Sequence, residues 1–418
     1  MPSTIQSAEI VCVGTELLIG QTLNTNVHFI ARQLSLMGIN SYYQTVVGDN
    51  PDRLAAAIRT AASRSDCVFL TGGLGPTADD ITMAVAALVA GRPLTIHAPS
   101  EEIIRGIFAR MGREMTGNNL KQAMLPENAI VMPNGNGTAP GCILEFLFEE
   151  AEKVFILLPG PPSELHPMFL EQVRPYLQAR THRIMRNVFV RMIGIGESKA
   201  ETVLKDLIDG QTNPTIAPYA GEGEVLFRIT QLAQDADEPD NTGPLLEEVR
   251  RRVGEYIYEI GERKMHQVAA DLLIARGATL SLAESCTAGL AAATLGEIPG
   301  ASRFLTGGIV AYSNQVKRDL LHVPAGILET EGAVSEACAI AMATECRKLF
   351  GTDYALSVTG IAGPDGGSTD KPVGLVHLAV ADGNGYATRV LRINGNRARV
   401  RGVASLNAFD LLRRRMLE

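Results

Sequence analysis

The sequence predicts an α/β protein of about three domains. Apolar, strand-like runs alternate with helix-like segments along its 418 residues, and the connections between them are short. Such alternation is typical of sheets covered by helices. The chain also contains 41 glycines and no tryptophan, which suits an architecture with many tight turns. Its length, at roughly 150 residues per domain, gives the expected number of domains.

The first third is predicted to alternate strands and helices. Strands are expected at Ala8–Val13, Ser41–Val47 and Cys67–Leu70, and helices at Asn26–Met37 and from Pro51 onward. Short links of this kind imply a parallel, doubly wound sheet. Because ligands of such sheets bind beyond the carboxyl ends of the strands, we expect a site in the loops that follow the first and third strands.

The loop from Thr71 to Thr82, TGGLGPTADDIT, has the chemistry for a phosphate and a metal. Its glycines allow backbone amides to turn toward an anion. Asp79 and Asp80 offer carboxylate oxygens, which hard divalent cations accept. The alternative is that Asp79 caps a helix and Asp80 complements the dipole of its first turn.

The last third is organised around Thr279–Leu295, where an apolar run turns and continues as a helix of small residues. A strand that feeds a helix through a tight turn is a recurrent place for a nucleophile, and Ser285 and Cys286 are both candidates. The alternative for Ser285 is a helix cap. No histidine is near in sequence, so a lysine is the expected base for a serine, as in Ser-Lys hydrolases.

Further elements follow in the last third. A strand at Gly308–Tyr312, a core helix at Ser335–Leu349 and a hairpin from Gly374 to Ile393 are predicted. The start of the terminal helix at Arg397 suits a phosphate, although a plain cap with a solvated arginine is the alternative. The run Arg413–Arg415 is predicted to be solvated helix surface.

Composition excludes several classes of function. The net charge of -8 argues against a general nucleic-acid binder, which needs a basic face. The six cysteines have no CxxC spacing and are expected to be small buried side chains in a reducing compartment. Because the sequence has no signal peptide and no apolar run near about 18 residues, we expect a cytoplasmic protein without a membrane partner.

Four motifs in the first third, GTELLIGQTLNTN, TGGLGPTADDIT, NGTAPG and LPGPPSEL, resemble the molybdopterin-binding MoaB/MogA superfamily in its CinA N-terminal branch. The resemblance implies a doubly wound domain over residues 1–175 that cleaves ADP-ribose to AMP and ribose 5-phosphate with a divalent metal, Mg²⁺ or a transition metal such as Co²⁺. It implies substrate contacts at Glu16, Asn24, Asn26, Thr71, Gly72 and Gly73, catalysis and metal binding at Asp79 and Asp80, and a further metal carboxylate at Glu164. An ordinary first-turn glutamate is the alternative for Glu164.

Four motifs in the last third, AESCTAG, YSNQVK, TGIAGPDGG and KPVG, resemble the CinA C-terminal family, whose characterised members (PncC) are nicotinamide-nucleotide amidohydrolases. The resemblance implies an α/β domain over residues 263–418 that deamidates NMN without a cofactor, with Ser285 as nucleophile and Lys317 as base. One departure is Ala288, where the family usually has a second glycine. Substrate contacts are implied at Thr287, Gly289, Tyr312, Ser313, Asn314, Thr359, Gly360, Gly363 and Arg397.

The segment between the two domains, residues 176–262, is predicted to form a small α+β unit and resembles a KH-like module in the same family. An RNA-binding KH loop has the pattern GXXG, but Gly194-Ile195-Gly196-Glu197 ends in an acid. We therefore expect a spacer or a dimerisation module, and a homodimer, rather than a nucleic-acid partner. The alternative for the whole chain is a regulatory protein, linked to competence or DNA damage, whose first domain binds a pterin or nucleotide without turnover.

Overall fold

The computed structural model describes residues 4–181, 184–233 and 237–418. The chain divides into two compact units, one of Met1–Arg186 with Gln231–Asp240 and the other of Asn187–Thr230 with Asn241–Glu418. Most of the segment predicted as a middle module therefore belongs to the second unit.

The first unit contains eight strands and seven α-helices within the described residues. The strands are β1 (Ala8–Val13), β2 (Gln44–Val47), β3 (Cys67–Thr71), β4 (Leu94–Ile96), β5 (Met124–Pro126), β6 (Ile130–Met132), β7 (Gly141–Phe148) and β8 (Ala151–Leu158). The helices are α1 (Thr15–Leu18), α2 (Thr25–Leu36), α3 (Pro51–Arg64), α4 (Thr82–Val89), α5 (Ala98–Arg110), α6 (Pro162–Met168) and α7 (Arg174–Gln178).

The main sheet of this unit has the order β2-β1-β3-β8-β7-β6, and its strands β1 and β3 are buried on both faces. Alternate residues of β1 point to opposite faces, so Ile10 and Cys12 enter one core and Val11 and Val13 enter the other. Helices α2 and α6 contribute to the first core, and α3 and α4 contribute to the second. The predicted doubly wound architecture is confirmed, and it places the loops after β1 and β3 at one edge.

The predicted parallel pairing of the first three strands is confirmed, and two further strands of the sheet run antiparallel. Strands β2, β1, β3 and β8 are parallel to one another, but β7 is antiparallel to β8 and β6 is antiparallel to β7. Strands β7 and β8 are joined by Glu149 and Glu150, both with positive φ (47° and 68°). A turn of two such residues joins antiparallel strands only.

The second unit begins with a four-stranded sheet of order β10-β11-β9-β12. Alternation of apolar and polar residues over Asn187–Ile193 and Val225–Ala233 predicts two of these strands, β9 and β11. The other two strands, β10 and β12, were not predicted, and they form the edges of this sheet. Strand β10 contains Pro218, which an edge strand tolerates, and β12 has only four residues, so neither has a clear strand pattern. The elements are β9 (Ile184–Met192), α8 (Glu197–Val203), α9 (Lys205–Asp209), β10 (Thr215–Ala220), β11 (Val225–Ala233), α10 (Thr242–Val253) and β12 (Ile257–Ile260).

The C-terminal sheet has the order β14-β13-β15-β16-β17, with its first three strands parallel and the last two antiparallel. Strand β13 is fully buried and lies between its parallel neighbours β14 and β15, so its carboxyl end lies between theirs. The elements are α11 (Met265–Arg276), β13 (Leu280–Glu284), α12 (Leu290–Gly296), β14 (Leu305–Val310), α13 (Asn314–Asp319), α14 (Ala325–Thr330), α15 (Glu336–Phe350), β15 (Tyr354–Gly360), β16 (Leu375–Asp382), β17 (Gly385–Arg392) and α16 (Arg397–Leu417).

The arginine run near the end of α16 is not solvated as predicted. Arg413 is buried and donates to Asp410 Oδ1, which is 3.0 Å from its Nε. Arg389 and Arg414 donate to the other oxygen of Asp410 at 2.9 Å, and Arg415 pairs with Asp382. Local helical spacing does not reveal these partners, because Arg389 and Asp382 come from β17 and β16.

We expect Asp410→Asn to destabilise the second unit by about 3 kcal/mol, because it leaves buried arginine charge without its counterion. Burial by itself would raise the pKa of Asp410, but Arg413, with Arg389 and Arg414, outweighs burial and holds this pKa below its usual value. The stabilisation is therefore complete above the unfolded pKa of about 3.9 and is lost as the pH falls through the folded one. Urea unfolding followed by circular dichroism should show a difference in unfolding free energy between the wild type and Asp410→Asn. This difference should be largest at neutral pH and should decrease in acid.

The exposed pair Lys205–Asp209 supplies the control for this measurement. Asp209→Asn should change the unfolding free energy by less than about 0.5 kcal/mol. Equal effects of the two substitutions would contradict the role of the buried cluster.

Candidate active sites

Ser285 and Lys317 meet at the carboxyl end of β13. Lys317 Nζ lies 3.0 Å from Ser285 Oγ and donates to the carbonyl oxygens of Ala311 at 2.7 Å and Tyr312 at 3.3 Å. Lys317 is only 1% exposed, and burial lowers the pKa of its amine. A neutral amine has two N–H groups, which the two carbonyls occupy, so its lone pair is available to the serine hydroxyl.

Ser285 does not cap the helix that follows it. Helix α12 begins at Leu290, and the buried carboxylate of Glu284 accepts from the amides of Ala291 at 3.1 Å and Ala292 at 2.8 Å. Glu284 therefore satisfies amides at the helix start, and the hydroxyl of Ser285 is left for chemistry. The capping alternative for Ser285 is thus excluded.

The turn between β13 and α12 leaves amide donors free beside Ser285. The amides of Ser285 and Ala288 donate to Val358 and Ser285 carbonyl oxygens. Among the described residues, no backbone acceptor is found for the amides of Thr287 and Gly289. Free amides next to a nucleophile are the donors from which an oxyanion hole is built.

Cys286 has an environment unsuited to a thiolate. Its side chain is 4% exposed, and burial raises its pKa to about 11. The thiol is therefore protonated at neutral pH and packs in the core with β13.

Three predicted substrate contacts meet at the start of α16. Arg397 donates from Nη1 to the carbonyl oxygen of Gly363 at 2.8 Å and from Nη2 to the hydroxyl of Tyr312 at 2.9 Å. Asn396, and not Arg397, caps the helix by accepting from the Arg399 amide at 2.9 Å. Arg397 is exposed, so it presents a positive charge to solvent beside two fixed partners. Burial is the first cause of the lowered pKa of Lys317.

The other predicted contacts of this site have structural partners or lie in its loops. Ser313 caps α13 by accepting from the Val316 amide at 3.2 Å, and Asn314 next to it is exposed. Thr359 is buried and donates to the Ala333 carbonyl oxygen at 2.6 Å. Gly360 ends β15, and Gly289 precedes α12 with a φ of 88°.

The first unit contains a cavity of about 580 Å³ at the carboxyl ends of β1 and β3. The glycine loop after β3 forms one wall, and a Cβ on Gly72 would come within 2.4 Å of the Val13 carbonyl oxygen. Only glycine permits this close approach of the two loops. All nine site residues predicted for this domain line the cavity, namely Glu16, Asn24, Asn26, Thr71, Gly72, Gly73, Asp79, Asp80 and Glu164.

The described carboxylates that line this cavity do not form a preassembled metal-binding site. Helix α4 begins only at Thr82, so Asp79 and Asp80 are neither its cap nor its first turn. Asp80 Oδ2 accepts from the Thr77 amide at 2.8 Å, and Glu164 Oε2 accepts from Asn134 Nδ2 at 2.7 Å. In the part of the chain that the structure describes, no group of three His, Cys, Asp or Glu side chains is placed to hold a metal ion.

The predicted trio of metal carboxylates, Asp79, Asp80 and Glu164, is therefore not preassembled. The donor set instead fits a cation that arrives with a phosphate ligand. Mg²⁺ is commonly held by one or two carboxylates together with substrate phosphate oxygens, and adjacent carboxylates beside a glycine loop meet that description.

Comparison with known proteins places these sites in a family. Family models match residues 262–416, described as "CinA C-terminal domain", residues 9–179, described as "Probable molybdopterin binding domain", and residues 189–258, described as "Damage-inducible protein CinA KH domain". A CinA-like protein of Dictyoglomus thermophilum is 47% identical over 410 residues, which are 98% of this chain and 99% of that protein. This chain belongs to the CinA family. The predicted resemblance and the three kinds of module are confirmed.

A second full-length relative agrees with this assignment. A CinA-like protein of Kosmotoga olearia is 44% identical over 411 residues, 98% of this chain and 99% of that protein. A crystal structure of the competence/damage inducible protein CihA from Agrobacterium tumefaciens is 37% identical and covers 38% of this chain and 99% of that one, with a TM-score of 0.36.

No helix in the described ranges has both the length and the apolar character needed to cross a bilayer.

Two residues that hold the CinA C-terminal site were not singled out from the sequence. Glu284 satisfies the first amides of α12, and Arg401 donates to the carbonyl oxygen of Thr287 from Nε at 3.1 Å and Nη2 at 2.7 Å. Glu284 was detectable as an acid directly before the turn. Arg401 lies far away in sequence on α16, and no local pattern connects it with Thr287.

Ala288 is strained by the turn. Its φ is 51°, in the left-handed region, which costs a residue with a Cβ about 1–2 kcal/mol. Because glycine loses more chain entropy on folding, we expect Ala288→Gly to stabilise the second unit by no more than about 1 kcal/mol. A thermal unfolding midpoint raised by a few degrees would be the expected result, with Ala292→Gly inside α12 as the control that should lower it. A midpoint lowered by Ala288→Gly would contradict strain at this position.

Proposed function

We propose that the C-terminal domain hydrolyses the carboxamide of NMN to nicotinic acid mononucleotide and ammonia. The observation that supports this most directly is the buried amine of Lys317, with its lowered pKa, 3.0 Å from the hydroxyl of Ser285. Lysine must be neutral to serve as a base, and burial favours its neutral form.

In this proposal Ser285 Oγ attacks the carboxamide carbon as Lys317 Nζ accepts the hydroxyl proton. The amides of Thr287 and Gly289 donate to the oxyanion of the tetrahedral intermediate. Lys317 returns the proton to the leaving ammonia, and an acyl-enzyme ester remains on Ser285. Water, deprotonated by Lys317, then cleaves the ester and releases the carboxylic acid. Arg397, beside Tyr312, would bind the substrate phosphate.

We further propose that the N-terminal cavity binds ADP-ribose and cleaves its diphosphate to AMP and ribose 5-phosphate. The glycine loop after β3 would direct backbone amides to the diphosphate. Asp79 and Asp80 would hold a divalent cation against the phosphate oxygens. Such an ion, when bound, supplies charge neutralisation and a more acidic water. The alternative is a domain that binds a nucleotide or pterin without turnover.

Two assays on the purified full-length chain test these proposals separately. Ammonia release from NMN tests the C-terminal domain, and AMP release from ADP-ribose with added Mg²⁺ or Co²⁺ tests the N-terminal one. Binding of ADP-ribose without release of AMP would decide for the binding-protein alternative.

A further inference from the structure

A buried amide in the N-terminal cavity has an acceptor with no partner. Gln122 lies in a short 3₁₀ helix, Gly117–Ala123, and is 5% exposed. Its Nε2 donates to the hydroxyl of Thr138 at 3.1 Å, and both side chains line the cavity. Its Oε1 is buried and has no hydrogen-bond partner within the described chain.

Asn26 repeats this arrangement at another wall of the cavity. Its Nδ2 donates to the Gly160 carbonyl oxygen at 2.7 Å, and its Oδ1 is buried without a partner among the residues that the structure describes. A buried acceptor left unpaired costs about 1–3 kcal/mol. Asn26 and Gln122 both line the cavity, so a ligand that supplies N–H or O–H donors can satisfy these acceptors.

The chemistry of a nucleoside diphosphate limits where these donors can come from. Phosphate oxygens at neutral pH accept hydrogen bonds, so they match the glycine amides and would repel Gln122 Oε1. The donors of such a ligand are the exocyclic amine of its base and the hydroxyls of its ribose.

We infer that Gln122 is a specificity-determining residue, whose Oε1 accepts a hydrogen bond from the nucleoside part of the ligand. This inference deepens the proposed ADP-ribose site and rests on it for the ligand class. Gln122 should therefore reject an analogue that lacks the matching donor, since that complex would leave the acceptor unpaired.

The test compares ADP-ribose with its inosine analogue, which has a carbonyl in place of the amine, and with its 2′-deoxyadenosine analogue. We expect the wild-type chain to prefer ADP-ribose in kcat/KM by at least about tenfold over one of them. Gln122→Leu should reduce this ratio to about one, by lowering kcat/KM for ADP-ribose alone. Gln122→Glu, which retains an acceptor, should preserve the ratio. Asn118→Ala, an exposed position of the same 3₁₀ helix, should leave it unchanged.

The analogue that is discriminated identifies the donor as the base amine or the ribose hydroxyl. A Gln122→Leu variant that lowers kcat/KM equally for all three compounds would overturn the inference, because a purely structural residue acts in that way. Titration calorimetry with the same compounds separates the two proposals. If ADP-ribose binds but is not cleaved, the binding ratios still test Gln122 while the proposed hydrolysis fails. If it does not bind at all, both fail.

Discussion

Ser285→Ala is expected to slow NMN deamidation by roughly 10⁴-fold or more, the scale found when a covalent nucleophile is lost. The reason is that Ser285 Oγ is the hydroxyl in contact with the buried amine of Lys317. Single-turnover measurement of ammonia release checks the effect on the chemical step, and circular dichroism checks the fold.

Lys317→Ala should have an effect of similar size, and the double variant should be hardly slower than either single one, because nucleophile and base act as one unit. The wild-type rate should also fall in acid. Lys317 must be neutral to act, and the rate is lost as the pH falls through its lowered pKa. A rate that stays constant while the pH drops well below neutrality would contradict a lysine base.

Cys286→Ala is the matched control, since Cys286 is the adjacent residue in the same turn. With its pKa raised to about 11 by burial, its thiol is a poor source of thiolate, and we expect its loss to cost about 1 kcal/mol of stability and little activity. If iodoacetamide or Cys286→Ala abolished deamidation while Ser285→Ala retained it, the nucleophile would be Cys286.

Asp80→Ala is expected to lower ADP-ribose cleavage by at least about 10²–10³-fold, the scale for losing one charge-stabilising group, and to leave NMN deamidation intact. Asp80 lines the N-terminal cavity and also accepts from the amide of Thr77, so alanine removes a charge and loosens the loop. Parallel assays of AMP and ammonia release measure both activities in one preparation.

Asp80→Asn separates these two contributions, because the amide oxygen can still accept from Thr77 while the charge is gone. A loss as large as that of Asp80→Ala assigns the effect to the carboxylate charge. EDTA should likewise abolish only AMP release. Loss of both activities in a folded Asp80→Ala protein, or an amidase inhibited by EDTA, would refute two independent sites.

The sequence by itself determined the elements that carry the chemistry. Periodicity and capping residues placed β1, β3, α3 and α15 close to their observed bounds, since these signals lie within one turn or one strand. The same holds for the strand–turn–helix that presents Ser285. Motif resemblance then brought together residues that all line the N-terminal cavity.

Only the tertiary structure decided how the C-terminal groups act. The sequence named Lys317 as a base, but its burial and its 3.0 Å separation from Ser285 depend on packing between β13, β14 and α13. The hydrogen bonds from Arg401 to the Thr287 carbonyl oxygen and the ion pairs around Asp410 likewise join residues that are distant in sequence.

The tertiary structure also corrected inferences made from neighbouring residues alone. The motifs predicted a metal site formed by Asp79, Asp80 and Glu164. In the structure, Asp80 accepts a hydrogen bond from Thr77 and Glu164 accepts one from Asn134. Among the described residues, no three such side chains are close enough to hold a metal ion together. The unpaired oxygen of Gln122 has no sequence signal at all. Local sequence fixes backbone conformation through short-range sterics and hydrogen bonds, whereas burial, pKa and ligand geometry depend on contacts that form only when distant segments pack.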